Sequence, residues 1–245
     1  TNTSVTDNFT FSYVHYATDF VAEGDNPWST ARVRRLHRSR DITQAKPDNR
    51  RKAVQEERRL RVDNRPYGRS YERFDEVFYD KFGYQHSTIG SMEDLNAASV
   101  QDVAEFFPTY YAPNNAVLTV VGDFKRDEAL ATIKRYFEDI PRQPAPPPVD
   151  LIEPKQTAER RETLTDPLAR APQILIGYKI GVGNDADQAA LQVLSSVLQG
   201  GDSSRLYQSI SKEKELVSGI GGYVEERIRT GGLYVTATVR PAQKA

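Results

Sequence analysis

The sequence predicts an α+β protein made of two-layer sandwiches, with helices packed on one face of an antiparallel or mixed sheet. Amphipathic helical patterns alternate with short apolar runs of strand length. Near the end, two strand patterns flank Gly231 and Gly232, as expected for a hairpin or bulge site. A segment with six prolines, residues 141–154, separates two such mixed halves and is predicted to be extended and semi-rigid.

The first half contains helical patterns with recognisable ends. Asp48 is a plausible N-cap, and Ser99 with Asp102 resembles a capping box. Pro108 lies inside the pattern that follows Ser99 and is expected to kink or weaken that helix. The predicted helices cover residues 48–62, 70–80, 99–111 and 127–138, and the predicted buried strand covers residues 116–121.

The second half alternates strands with helices. Gly200 and Gly201 end the first of its helices, and a capped helix follows. Such a turn could bind an anion, but no Lys follows in the phosphate-loop pattern, so a helix-to-helix turn is our interpretation. The predicted strands cover residues 159–164, 173–180, 217–225 and 233–239, and the predicted helices cover residues 186–199 and 202–214.

Composition excludes several functional classes. The 245 residues carry a net charge of −1 and contain no cysteine, which excludes disulfides, thiolate catalysis and Cys-based zinc sites. No apolar run approaches the length of a spanning helix, so no membrane partner is expected. Residues 31–73 carry 13 Arg and 2 Lys against 6 acids. Because acidic residues interrupt this stretch, we interpret it as a solvated helix face; an RNA- or anion-binding module is the weaker alternative.

The three histidines show no metal-binding spacing. His15, His37 and His86 are isolated, without a pair four residues apart. His86 lies in a Gly-flanked loop, and we interpret it as structural. A site that combines His15 and His37 with Glu57 is the remaining alternative.

Four segments together identify a family. In order and spacing, over roughly Asp41 to Val239, they resemble the pitrilysin/insulinase family of zinc metallopeptidases, the inverzincins, especially their mitochondrial-processing-peptidase-like members. The segments are Lys52–Arg59, His86–Ser91, Tyr110–Asp123 and Gly200–Tyr207.

The resemblance implies zinc chemistry that this chain does not complete. In the family, zinc is held by the two histidines of a His-x-x-Glu-His helix, whose Glu activates water, and by a Glu on a second helix. By resemblance that third ligand is Glu57, with the adjacent Glu56 as the alternative. His-x-x-Glu-His occurs nowhere in the 245 residues. We therefore assign no catalytic residue to this chain and expect Zn²⁺ in the intact family member only.

The resemblance also implies two homologous domains. We expect residues 1–140 to be the C-terminal portion of a first peptidase-like domain, with residues 1–40 atypical of the family. Residues 141–157 are the Pro-rich linker, and residues 158–245 are the first part of a second, non-catalytic domain that is interrupted at its C-terminus.

The predicted function follows from this organisation. We expect a fragment of a zinc-dependent metalloendopeptidase, inactive as this chain, that acts on peptide substrates in the intact protein. The alternative is a non-catalytic homologue that serves as a structural or partner-binding subunit, as a homo- or hetero-dimer with a related chain. Nucleic acid is not an expected partner. The sequence shows no signal peptide and does not fix the compartment, although bacterial relatives favour the periplasm.

Overall fold

The computed structural model describes residues 2–6, 9–13 and 45–241, and the chain divides into two compact units. The first unit comprises residues 1–55 and 91–148. The second unit comprises residues 56–90 and 149–245. His15 and His37 lie outside the described residues, as do most of the atypical residues 1–40.

The described elements mix helices with antiparallel strands, and the predicted α+β class is confirmed. In chain order they are β1 (Asn2–Val5), β2 (Thr10–Tyr13), α1 (Ala45–Arg58), a π-helix (Arg59–Asp63), α2 (Gly68–Phe78), α3 (Phe82–Gln85), α4 (Met92–Ala97), α5 (Val100–Tyr110), a 3₁₀ turn (Pro113–Asn115), α6 (Arg126–Phe137), β3 (Gln173–Lys179), α7 (Gln188–Gln199), a second π-helix (Tyr207–Glu213), β4 (Val217–Glu225) and β5 (Gly232–Val239). Within these described segments, no helix is long and apolar enough to cross a membrane.

The helix ends follow the sequence closely, with one exception. Ser99 and Asp102 form the predicted capping box, in which the Asp102 carboxylate accepts from the Ser99 amide at 2.7 Å. Helix α5 continues through Pro108 to Tyr110. The prediction of Asp48 as an N-cap is wrong, because α1 begins at Ala45 and Asp48 lies in its first turn, paired with Arg51 at 3.0 Å.

Two predicted strands do not form. Residues 116–121 and 159–164 have neither helix nor strand in the structure. A strand is defined by hydrogen bonds to a neighbouring strand, and among the described residues these segments have no such partner. Residues 159–164 are held instead by side chains: Arg160 pairs with Asp80 at 2.8 Å, and Glu162 pairs with Arg73 at 2.8 Å.

The sheet of the second unit has the strand order β3–β5–β4, with every pairing antiparallel. One face meets α2, since a Cβ atom at Gly177 would lie 2.6 Å from the Phe74 ring. Gly222 belongs to the opposite face, and a Cβ atom there would lie 2.4 Å from the Gln199 amide of α7. This sheet therefore carries a helix on each face, whereas helices on one face were expected.

The core of the second unit is aromatic. Phe78, Tyr79, Tyr84 and Tyr234 are buried together, and the hydroxyls of Tyr79 and Tyr234 lie 3.0 Å apart in a hydrogen bond. Burial raises the pKa of both phenols above the ordinary value, because the charged form would lose its water. The Arg227 guanidinium lies 4.8 Å from the Tyr79 ring centroid, so this cation packs on the edge of the aromatic cluster.

The second part of the Pro-rich region is tied to the second unit. The Glu153 side chain is 1% exposed and accepts from the amides of Asp80 and Lys81 at 2.9 and 2.8 Å. The Lys179 ammonium donates to the same carboxylate at 2.6 Å. Leu151 packs against the aromatic cluster. From Val149 onward this region is therefore anchored to the second unit.

Candidate functional site

The predicted zinc ligand lies at the end of α1. The Glu57 carboxylate is 3.2 Å from Arg61, and that of Glu56 is 3.0 Å from Arg59. Adjacent helical residues point about 100° apart, so the two carboxylates face different directions. Glu57 is the less exposed, with 44% of its side chain accessible against 59% for Glu56. The α-helix gives way to the π-helix directly after Arg58, a local irregularity that is frequent at functional sites.

Arg58 fixes this helix end. It is buried and donates two hydrogen bonds to Glu72, at 2.6 and 2.8 Å, and a third to the Gly90 carbonyl at 2.6 Å. The Glu72 hydrogen bond raises the pKa of Arg58, so the guanidinium stays charged. Arg58 could not be singled out from the sequence, because nothing in the local pattern distinguishes it from its exposed neighbours Arg59 and Arg61. Its actual role is to hold the backbone next to Glu57 in place.

The described residues do not fit a zinc ion on their own. Protein zinc sites use three or four side-chain ligands. Among the described residues, no group of three His, Asp or Glu side chains is close enough to hold a metal. The His86 ring lies 4.7 Å from the Phe82 ring, and its Nδ1 is 3.3 Å from the Ser87 carbonyl. These residues therefore provide Glu57, or Glu56, as an isolated carboxylate.

The described arginines of the basic stretch are mostly engaged with acids of the same stretch. These ion pairs support the interpretation of a solvated helix face, although surface pairs of this kind add little stability. The pairs at the surface of the stretch are Arg51–Asp48, Arg59–Glu56, Arg61–Glu57 and Arg69–Asp63, and Arg73 pairs with Glu76 just beyond it. The Arg58–Glu72 pair is buried.

The double glycine after α7 forms a turn, as interpreted from the sequence. Gly201 has φ +81°, a left-handed conformation that glycine adopts without strain. The Ser204 amide donates to the Gly201 carbonyl at 3.1 Å, which closes the turn before the next helix. The segment links two helices.

Comparison with known families decides the chain's membership. Residues 97–245 match the family domain described as "Peptidase M16 inactive domain". The chain belongs to the M16 peptidase family. The resemblance to zinc metallopeptidases is thereby confirmed, and the matched region is the non-catalytic domain of that family.

Individual relatives agree with this membership. The chain is 34% identical over 170 residues to "Zinc protease PqqE" of Helicobacter pylori, which covers 69% of this chain and 38% of that protein. A protease structure from Helicobacter pylori superposes with a TM-score of 0.76 at 30% identity, covering 83% of this chain and 49% of that one. The M16 inactive domain of Pseudomonas fluorescens shares the fold, with a TM-score of 0.62 at 18% identity over 81% of this chain and 47% of that one. The chain thus spans less than half the length of these relatives.

Proposed function

We propose that this M16 chain is a non-catalytic portion of a zinc metalloendopeptidase. The observation that carries the proposal is the match of residues 97–245 to the inactive domain of the family. The 245 residues also lack His-x-x-Glu-His, so the two histidine ligands and the general base must come from other polypeptide. Peptides are the substrate class of the assembled enzyme.

In that assembly the chain contributes one carboxylate, that of Glu57. Arg58 anchors the backbone beside it through Glu72 and Gly90, and Arg61 faces the carboxylate at 3.2 Å. An anchored helix end orients a ligand and lowers the entropic cost of binding. A bound zinc ion supplies activation of the hydrolytic water. Glu56, which faces another direction, is the alternative ligand.

One observation favours the second candidate function, a partner-binding subunit without a catalytic role. The first unit exposes large apolar side chains, among them Phe106, Val117 and Val121. Such surfaces are typical of faces that another polypeptide covers. The zinc content of the assembled chains distinguishes this function from the first.

The test combines this chain with a second polypeptide of the family that carries His-x-x-Glu-His. The chain alone should bind negligible zinc and should not cleave a fluorogenic peptide. The assembly should bind about one zinc ion and should cleave the peptide. Glu57→Gln should abolish zinc binding and peptide cleavage by the assembly, whereas Glu56→Gln, the matched control, should retain both.

Other outcomes separate the candidates. An assembly that forms without zinc or cleavage would favour the partner-binding subunit. Stoichiometric zinc and peptide cleavage by the present chain alone would contradict both proposals. Loss of zinc with Glu56→Gln but not with Glu57→Gln would show that Glu56, and not Glu57, is the zinc ligand.

A further inference from the structure

The second unit is assembled from two separate pieces of the chain. The helical piece, residues 56–90, contains the end of α1, α2 and α3, and the sheet piece, residues 149–245, contains β3, β4, β5 and α7. The residues between these pieces in sequence, 91–148, belong to the first unit. The matched family domain begins at residue 97, so it includes the sheet piece but not the helical piece. Helix α2, which covers one face of the sheet, therefore lies outside the domain to which the sheet belongs.

The centre of the contact between the two pieces is aromatic. The rings of Phe74 and Phe78, one turn apart on α2, lie 5.8 and 5.4 Å from the Tyr234 ring of β5, between centroids. The Tyr79 hydroxyl is 3.0 Å from that of Tyr234. Leu151 of the sheet piece packs against the same cluster. Buried aromatic rings dominate the energetics of cores and interfaces, so this centre provides a strong attraction between the pieces.

Charged and polar groups surround this aromatic centre and also join one piece to the other. The Asp80 carboxylate accepts from Lys179 at 2.9 Å and from Arg160 at 2.8 Å, and these two cations hold the pKa of Asp80 below its usual range. Glu153 accepts from the Asp80 amide at 2.9 Å. Three further bonds cross in the same way: Arg73 to Glu162 at 2.8 Å, the Tyr67 amide to Asp166 at 2.6 Å and the Tyr67 hydroxyl to the Ala171 carbonyl at 2.7 Å.

An aromatic centre inside a polar rim is the arrangement found at protein–protein interfaces. The sheet piece selects a helix with two aromatic side chains four residues apart, since Phe74 and Phe78 both reach Tyr234. It also selects an acid after that helix, because Lys179 and Arg160 both bind Asp80. All of these contacts join residues 56–90 to residues 149–245, so they do not require the covalent connection through residues 91–148.

We propose that the sheet piece of the inactive domain is a docking surface for the helical piece and holds it without the covalent connection between them. Its partner is an aromatic helix followed by an acid, here α2 with Asp80. Because the helical piece begins at Glu56 and Glu57, the inactive domain keeps the carboxylate-bearing segment attached to itself. The role of that carboxylate rests on the proposed function, whereas the docking does not.

Cutting the connection in the whole folded chain tests the docking. A recognition sequence for a specific protease is inserted between Pro147 and Pro148, which are both exposed, and the protein is cut after folding. A dye on the C-terminal fragment allows size-exclusion elution to be followed through a dilution series. We expect the two fragments to elute together at about 1 µM, as tight docking requires. Separate elution of the fragments at that concentration would overturn the proposal.

Matched Phe→Ala variants show whether the aromatic centre holds the fragments together. Phe78→Ala should raise the dissociation constant of the cut protein at least about a hundredfold, because it removes a buried ring from the contact. Phe82→Ala, on the same piece but 76% exposed, should change the dissociation constant by less than about threefold. Equal dissociation constants for the two variants would show that the fragments associate elsewhere and would overturn the proposal.

A charge exchange at the rim provides a test that does not remove any core side chain. Arg73→Glu should weaken the association of the cut protein by about threefold or more, since it opposes Glu162. Adding Glu162→Arg should recover most of that loss, because the pair is restored with its charges exchanged. Far-UV circular dichroism of each uncut variant checks its folding. Failure of the second substitution to recover any affinity would contradict docking through this rim.

The docking and the proposed function fail separately. The cut-chain experiment contains neither zinc nor a second polypeptide, so separation of the fragments would leave the zinc content of the assembly and its dependence on Glu57 unaffected. Absence of zinc in the assembly would leave the association of the cut fragments unaffected.

Discussion

The two units differ in how far their apolar side chains are buried. The second unit buries Phe78, Tyr79, Tyr84 and Tyr234 in a continuous aromatic cluster. In the described part of the first unit only Ala112 is buried, while Val117 and Val121 are 94% and 91% exposed. Both units have amphipathic elements, but among the residues that the structure describes only those of the second unit are covered by a second layer.

Helix α5 of the first unit has a regular apolar pattern but keeps its aromatic side chains exposed. Its aromatic residues contact one another, with Phe106 4.7 Å from Tyr110 and Phe107 4.9 Å from Tyr111 between ring centroids. Both phenylalanines nevertheless remain exposed. Apolar spacing and a capping box are enough to specify this helix, but they do not bury it. A helix of this kind gains most of its stability from tertiary packing on its apolar face, more than from its own propensity.

The largest expected difference between the units comes from matched Phe→Ala substitutions. Phe78 is 6% exposed and contacts Phe74, Tyr79 and Tyr234. Phe78→Ala should lower the unfolding free energy by about 3–5 kcal/mol. Phe106→Ala, at a residue 49% exposed, should change it by less than about 0.5 kcal/mol. Urea unfolding followed by near-UV circular dichroism measures both, and equal effects would remove the distinction between the units.

The second largest effect is expected at Glu153, which anchors the residues after the proline cluster to the second unit. Glu153→Gln leaves the Lys179 ammonium without its closest carboxylate, and should cost about 3 kcal/mol in unfolding free energy. Glu159→Gln is the control, since that side chain is 75% exposed in a surface pair with Arg161. A cost for Glu153→Gln no larger than that of the control would show that the region is not anchored there.

A smaller effect is expected where α7 approaches the sheet. Gly222→Ala places a Cβ atom 1.9 Å from the Tyr234 carbonyl oxygen, so backbone must move, at a cost of about 2 kcal/mol. Gly221→Ala meets no atom within 4 Å and should be neutral or slightly stabilising. Thermal unfolding of the two variants makes the measurement. If both variants are equally stable, the close approach of the Tyr234 carbonyl and the Gln199 amide to Gly222 is not a constraint.

The smallest expected effect is a gain in stability on substitution of Glu215. Glu215 has φ +51°, which is unfavourable for a residue with a Cβ atom. Glu215→Gly should raise the unfolding free energy of the second unit by about 1 kcal/mol. Its neighbour Lys214 has φ −90°, so Lys214→Gly should instead lower it by a few tenths to about 1 kcal/mol. A loss of stability on Glu215→Gly would mean that its side chain makes contacts that outweigh the strain.

Local sequence signals predicted the elements well where the physics is local. The capping box at Ser99, the strand at 217–225 and the helix ending at Gln199 all formed as expected. The predicted strands at residues 116–121 and 159–164 did not form, because a strand depends on a distant partner that composition cannot reveal. The candidate ligand Glu57 came from a family motif, while its anchor Arg58 could not be predicted, since its partner Glu72 is fourteen residues away.

The sequence by itself determined the α+β class, the capping box at Ser99 and the membership suggested by four motifs in order. The tertiary structure alone decided which face of each element is buried. In α7 the apolar side chains are not the most buried ones: Leu194 is 44% exposed, while Ser195 and Gln199 are buried and Gln199 donates to the Tyr234 carbonyl of the sheet. Hydrophobic periodicity is set by residues that are close in sequence. Burial depends on which distant element packs on each face of a helix or strand. That long-range choice left Leu194 half-exposed in α7 and left Val117 and Val121 of the first unit exposed.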